Sequence, residues 1–94
     1  MILRRKVKDS DRIKISFALP EEHPHAAHAY VAGEFNDWDP KADRLVRRSN
    51  ATYSAVLTLE KGRRYAYRYV TEDGVWFNTD DADEYEGENG ILLT

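Results

Sequence analysis

Seventeen carboxylates, three histidines, four serines and no cysteine are the groups from which this 94-residue chain could build a reaction. Nucleophilic catalysis needs a nucleophile beside an oriented base. Neither Ser10, Ser16, Ser49 nor Ser54 sits in a Gly-x-Ser-x-Gly elbow. Two carboxylates about 5–9.5 Å apart across a cleft can hydrolyse a sugar bond. The run Asp80 to Glu88 supplies carboxylates, but so small a chain lacks the bulk for a deep, supported cleft, and the run reads as a solvated acidic loop. His23, His25 and His28 are close enough in sequence to ligate a transition metal. They lie in a Pro24-containing loop without an obvious fourth ligand, so they read as surface histidines. Asp80, Asp81 and Asp83 resemble part of a calcium loop that lacks its glycine and terminal glutamate. No glycine-rich phosphate loop is present, so no nucleotide cofactor is implied. The expectation is a chain without catalytic residues, metal or cofactor.

Two tryptophans remain, Trp38 and Trp76. Trp38 follows the turn formers Asn36-Asp37 and precedes Asp39-Pro40; Trp76 follows the Asp73-Gly74 turn. Neither lies in an alternating apolar strand, the usual place of a core tryptophan in a sandwich. A flat, rigid indole can cover the C–H face of a sugar ring at small entropic cost while the hydroxyls stay in water. Specificity then needs a few hydrogen-bonding side chains at the rim of the ring. Arg68 and Asn89 are candidates. The plainer alternatives are a surface arginine paired with the acidic loop and an asparagine that closes a turn.

The elements that must position these groups read as strands. Arg12 to Leu19 alternates, with Ile13, Ile15, Phe17 and Leu19 on one face, and Pro20 ends it. Further strands are expected at about His28 to Gly33, Arg44 to Arg48, Tyr53 to Leu59, Arg64 to Val70, Val75 to Asn78 and Asn89 to Leu93. Met1 to Val7 could add an edge strand. Tyr65, Tyr67 and Tyr69 share one face of their strand, which sends Arg68 to the other. Residues 80–86 could form one helical turn capped by Asp80 or Asp81. Ile15, Phe35, Leu57, Tyr65 and Tyr67 are assigned to the core, and Gly33, Gly62 and Gly74 to turns that use glycine's φ freedom. Six or seven short strands with turn signals between them indicate an all-β sandwich, built as a single domain over 1–94 with its core in 12–93.

Charge and composition narrow the class further. The net charge is −3, unevenly spread: residues 1–20 balance to +4, residues 21–71 to +1 and residues 72–88 to −8. A pI near 5.6 and one short basic stretch do not make a nucleic-acid face. That stretch reads as a solvated strand edge or tail. No apolar run approaches the ~18 residues of a membrane span, and the N-terminus lacks the apolar segment of a secretory signal. Without cysteine, disulfides and thiolate chemistry are excluded and a cytoplasmic location is the default. Met1 suggests a stand-alone protein, or one that begins at a natural N-terminus.

Placed on these elements, Tyr30-Val31-Ala32-Gly33-Glu34-Phe35-Asn36-Asp37-Trp38 resembles the signature of the family 48 carbohydrate-binding modules. So do Leu59-Glu60-Lys61-Gly62, Tyr65-Ala66-Tyr67-Arg68-Tyr69-Val70, and Asp73-Gly74-Val75-Trp76 with Asn89 near the end. The resemblance runs from Arg12 to Leu93. It implies an immunoglobulin-like β-sandwich of the early-set type that binds glycogen, starch or maltodextrin, as in the beta subunit of AMP-activated protein kinase. Trp38 and Trp76 would be stacking platforms. Arg68 falls where the kinase module has a hydroxyl-binding lysine, though its planar fork is a different donor. Asn89 falls on a hydroxyl-contacting asparagine. Tyr85 falls near an apolar residue that threads against the sugar helix, and Gly87 stands where the kinase module has threonine. Related early-set domains precede the catalytic barrel in isoamylases, pullulanases and glycogen branching enzymes. The resemblance therefore carries a second expectation, a domain that docks on an amylase-type or other glycogen-metabolism enzyme with little sugar affinity, its Trp and Arg serving as a protein hot spot.

Overall fold

Strand alternation is the organising pattern of the computed structural model, which describes residues 1–94. One antiparallel sheet contains β1 (Ile2–Lys6), β2 (Arg12–Pro20), β4 (Val46–Arg47) and β5 (Thr52–Glu60) in the order β1-β2-β5-β4. The other contains β3 (Ala29–Gly33), β6 (Arg64–Thr71), β8 (Glu84–Glu86) and β9 (Asn89–Leu93) in the order β3-β6-β9-β8, with β7 (Trp76–Phe77) paired to β6. The two sheets form an immunoglobulin-like β-sandwich. Three-residue 3-10 turns at Ala26–His28 and Glu34–Asn36 flank β3. No helix is long and apolar enough to cross a membrane.

Register follows from burial. Ile13, Ile15, Phe17 and Leu19 of β2 stand opposite Leu59, Leu57, Ala55 and Tyr53 of β5. A slip of β2 by one residue would turn its four apolar side chains to solvent, so the pairing is strongly specified. From the facing sheet, Val31, Tyr67, Tyr69 and Leu92 complete the buried core. Phe17 is fully buried, with its ring centroid 5.1 Å from Tyr67 and 5.4 Å from Phe35. Burying such a side chain contributes about 1.5–3 kcal/mol. Ile15 and Tyr67 are core residues, and Phe35, Leu57 and Tyr65 are half-buried against them. The phenolic oxygens of Tyr67 and Tyr69 are buried without a hydrogen-bond partner, and burial pushes both phenols above their ordinary range.

The strands at both ends of the chain extend the sequence reading. Ile2–Lys6 is indeed an edge strand, with Ile2 packed on the core. Its basic residues meet the acidic segment of the other sheet: the N-terminal ammonium pairs with Asp81 and Arg4 with Asp83. The helical turn expected within residues 80–86 is absent; Glu84–Glu86 is a strand. An isolated turn fixes several torsions for one hydrogen bond. Pairing with β9 through the turn at Gly87, whose φ is +60°, instead gives this stretch a ladder. The strand count is therefore nine rather than about seven.

Gly33 corrects a second expectation. Gly62 and Gly74 have φ of +72° and +89°, as turn glycines should. Gly33 is extended, and its requirement is space. A Cβ there would lie 2.5 Å from the Ala66 carbonyl oxygen and 2.9 Å from both Phe35 and Tyr67.

Candidate functional site

β6 divides its side chains between the core and the outer face of its sheet. Tyr65, Tyr67 and Tyr69 face inward, where Tyr67 and Tyr69 are core residues. Ala66, Arg68 and Val70 therefore face outward. The registers then build a row across that face. Val70 stands opposite Tyr30 on one side and Trp76 on the other. Arg68 stands opposite Ala32, and Asn89, the neighbour of Gly90 in the pair Tyr67–Gly90, points to the same outer face.

Trp38 reaches this region from the loop after β3. Asn36 holds the loop: its Oδ1 accepts from Gly33 N (3.0 Å), and its Nδ2 donates to Val31 O (3.0 Å) and the Asp43 carboxylate (2.7 Å). Trp38 N donates to Gly33 O at 2.9 Å. Closing so short a path forces Asp37 and Trp38 into left-handed backbone, with φ of 56° and 58°. A bulky residue there is an outlier that the surrounding structure must hold in place, and such strain concentrates at functional positions.

Trp76 is set by the preceding turn. Thr71 N donates to Val75 O, Gly74 N to Thr71 O and Val75 N to Thr71 Oγ1, each at 2.9 Å. The Thr71 hydroxyl also bonds Asp73 and holds its carboxyl below the usual range. Lys41 then ties the two tryptophan segments together, donating from Nζ to Glu72 O at 3.0 Å.

The result is a pair of inclined indoles. The Trp38 and Trp76 ring centroids are 6.5 Å apart and their planes are 54° apart. Trp76 is 38% exposed and Trp38 half-buried. The Arg68 guanidinium carbon lies 5.9 Å from the Trp76 ring centroid. Arg68 Nε donates to Asn78 Oδ1 at 3.0 Å, and Nη1 is 3.5 Å from Glu88 Oε2. Asn78 Nδ2 in turn donates to the Glu88 carbonyl oxygen at 2.5 Å.

Four of the five sequence-derived candidates thus gather on one face: Trp38, Trp76, Arg68 and Asn89. Tyr85 does not join them. It pairs with Gly90, which pairs with Tyr67, so its side chain leaves the sheet on the core side. Its hydroxyl donates to Thr79 O at 2.7 Å and accepts from Ala82 N at 3.2 Å. Asn78, Glu88 and Lys41 were not visible as site residues. For Asn78 a signal existed, because it follows Trp76 by two and a strand repeats its face every two residues.

The histidines serve a different part of the surface. The His23 and His25 rings pack on Phe77, with centroids 5.4 and 4.9 Å away. Burial, aided by His25, lowers the His23 pKa. His28 Nδ1 lies 3.1 Å from Glu72 Oε1. His23 and His25 are half-buried against β7, His28 is an exposed surface group, and no three histidine or carboxylate side chains are arranged to hold a metal. A pocket of about 250 Å³ lies beside them, lined by His25, His28, Thr71, Glu72, Asp73 and Val75. The indoles form an open platform, not a pocket.

Comparison with known proteins identifies the family. The family model for carbohydrate-binding module 48 (isoamylase N-terminal domain) matches residues 12–85, a span that includes Trp38, Arg68 and Trp76. The chain is 40% identical over 52 residues to the 1,4-alpha-glucan branching enzyme GlgB 2 of Xanthomonas campestris pv. campestris (strain 8004), covering 54% of this chain and 7% of that enzyme. It is 36% identical over 80 residues to the amylopullulanase of Thermoanaerobacterium thermosulfurigenes, covering 81% of this chain and 4% of the relative. It is 30% identical over 59 residues to the 1,4-alpha-glucan branching enzyme GlgB of Thermosynechococcus vestitus, covering 62% and 8%. The chain spans less than a tenth of the length of each. No solved structure is a significant match. By its matched span and its fold, the chain belongs to the carbohydrate-binding module 48 family, the isoamylase N-terminal domain.

Proposed function

We propose that this chain is a non-catalytic, cytoplasmic module that binds α-1,4-glucan. The observation that carries the reading is the indole pair, 6.5 Å apart and inclined by 54°. Successive rings of an α-1,4 chain turn relative to one another, so two inclined platforms suit two neighbouring sugars. A β-1,4 chain is a flat ribbon and would lie against only one of them. Relatives named as 1,4-alpha-glucan branching enzymes support the same ligand class. Arg68 and Asn89 supply hydrogen bonds to hydroxyls beside the stacked rings. An open platform buries little of its ligand, so the dissociation constant should lie between about 1 μM and 1 mM, or roughly −8 to −4 kcal/mol.

Titration with maltoheptaose, followed by NMR, tests this. Saturable shifts are expected at both indole N–H signals and at the Arg68 and Asn89 amides, and none with cellohexaose. Trp38→Ala should weaken binding by roughly 30-fold, about 2 kcal/mol, through the lost stacking area. An unresponsive spectrum at millimolar maltoheptaose would sink the proposal.

A second reading is docking on an amylase-type enzyme without useful sugar affinity. Leu3, Val46 and Val56 favour it, because all three are half-exposed on the outer face of the four-stranded sheet. Binding of a purified amylase-type enzyme that is lost in Val56→Asp, together with silence towards maltoheptaose, would replace the first reading by this one.

A further inference from the structure

Arg68 does not stand alone beside Trp76. Its Nε is held by Asn78 Oδ1, and its Nη1 faces the Glu88 carboxylate at 3.5 Å, a distance longer than a tight ion pair. The two partners are unequal: the Arg68 side chain is 21% exposed and that of Glu88 87%. An exposed pair of this kind contributes little to folding. The carboxylate retains most of its acceptor sites for other donors. Asn78 uses both ends of its amide, accepting from Arg68 and donating to the backbone of Glu88, so one side chain fixes the guanidinium and the turn that carries the carboxylate.

Donor and acceptor side by side are what a neutral polyol requires. Each hydroxyl of a vicinal diol can accept one hydrogen bond and donate another. A guanidinium can only donate and a carboxylate only accept. We propose that Glu88 is a sugar-binding residue, taking a hydrogen bond from one hydroxyl of a glucosyl diol whose neighbour accepts from Arg68, and that Asn78 is the positioning residue that sets the two groups. This rests on the glucan reading above. It adds an acceptor to a face on which the sequence had identified Arg68 and Asn89 as hydrogen-bonding residues, and it makes the hydroxyl edge selective for a diol beside the stacked ring.

The test compares maltoheptaose affinities by NMR titration of variants whose amide spectra show the native fold. Glu88→Ala and Asn78→Ala should each bind 5- to 10-fold more weakly than the parent, with the indole shifts retained. Glu84→Ala, which removes a carboxylate paired with Arg64 instead, should leave affinity unchanged. In the Arg68→Ala background, Glu88→Ala should still cost about threefold; no further loss there would assign Glu88 to orienting Arg68 alone and overturn the contact. Asn78→Ala should move the Arg68 Nε–H signal in the free protein. Asn78→Asp keeps that acceptor but not the donor to Glu88, so it should restore the signal while recovering only part of the affinity. An unmoved Arg68 signal in Asn78→Ala would remove the positioning role. If the parent binds maltoheptaose and Trp38→Ala binds it roughly 30-fold more weakly, while Glu88→Ala and Asn78→Ala bind like the parent, the glucan reading stands and this inference falls. If the parent does not bind, both fall.

Discussion

Trp38 shows how a single residue can serve a surface at the expense of its own backbone. An L-residue in left-handed backbone costs roughly 1–2 kcal/mol relative to its preferred conformation, and Asp37 and Trp38 adopt it consecutively. Glycine would relieve that strain without supplying a ring. Trp38→Gly and Trp38→Ala should therefore lose maltoheptaose binding alike, whereas Trp38→Gly should be the more stable of the two by about 1 kcal/mol in urea unfolding. Equal stabilities would mean that the loop relaxes once the indole is gone. At this scale the sequence disclosed the tryptophans because they sit beside turn formers, outside any alternating run. It could not disclose the left-handed φ of Trp38, which arises from the hydrogen bonds of Asn36 and Gly33. Nor could residue type alone reveal Asn78, since a polar residue after a short strand has many ordinary uses.

Among the elements, β3 and β6 matter most, because their pairing carries one end of the Trp38 loop and the whole of Arg68. Their junction is tight at Gly33. Gly33→Ala would press a methyl group against the Ala66 carbonyl and the Phe35 and Tyr67 side chains. Overpacking of this kind typically costs 1–3 kcal/mol, so a lower urea midpoint is expected, with weaker glucan binding because Gly33 O anchors Trp38 N. The alternating strands were legible because burial writes a period of two into Ile13 to Leu19 and Tyr65 to Tyr69. β8 was not, because Glu84-Tyr85-Glu86 has no buried residue and is a strand only through its partner. The direction of Tyr85 was hidden for the same reason: without β8 and its register, nothing in the sequence says which way that ring points.

The molecule as a whole places its charge so that the basic N-terminus and the acidic 80–83 segment meet across the sandwich. Burial would raise the Asp81 carboxyl, but hydrogen bonds from the N-terminal ammonium and Thr79 outweigh it and hold the group below its ordinary value of 3.8. His23 is also lowered, from 6.5, so between that value and its folded pKa the unfolded chain binds more protons. Stability should thus fall as pH drops through 6.5, and fall further as Asp73 and Asp81 are protonated below 3.8. Tyr67 and Tyr69 act at the other end. Above pH 10 the unfolded chain releases phenolic protons that the folded chain retains, costing up to about 1.4 kcal/mol per phenol for each pH unit. Thermal unfolding should show a plateau between about pH 7 and 10 with a decline on both sides, and His23→Gln should flatten the shoulder near pH 6. A profile that declines on neither side would contradict these assignments. The chain's only two tryptophans are the facing pair at the platform. All of its indole emission therefore originates at one place, and the transition dipoles of two rings whose centroids are 6.5 Å apart and whose planes are inclined by 54° should couple into a paired positive and negative circular-dichroism band. The protein carries its own optical gauge of platform geometry, one that needs no label and that either Trp38→Phe or Trp76→Phe would switch off.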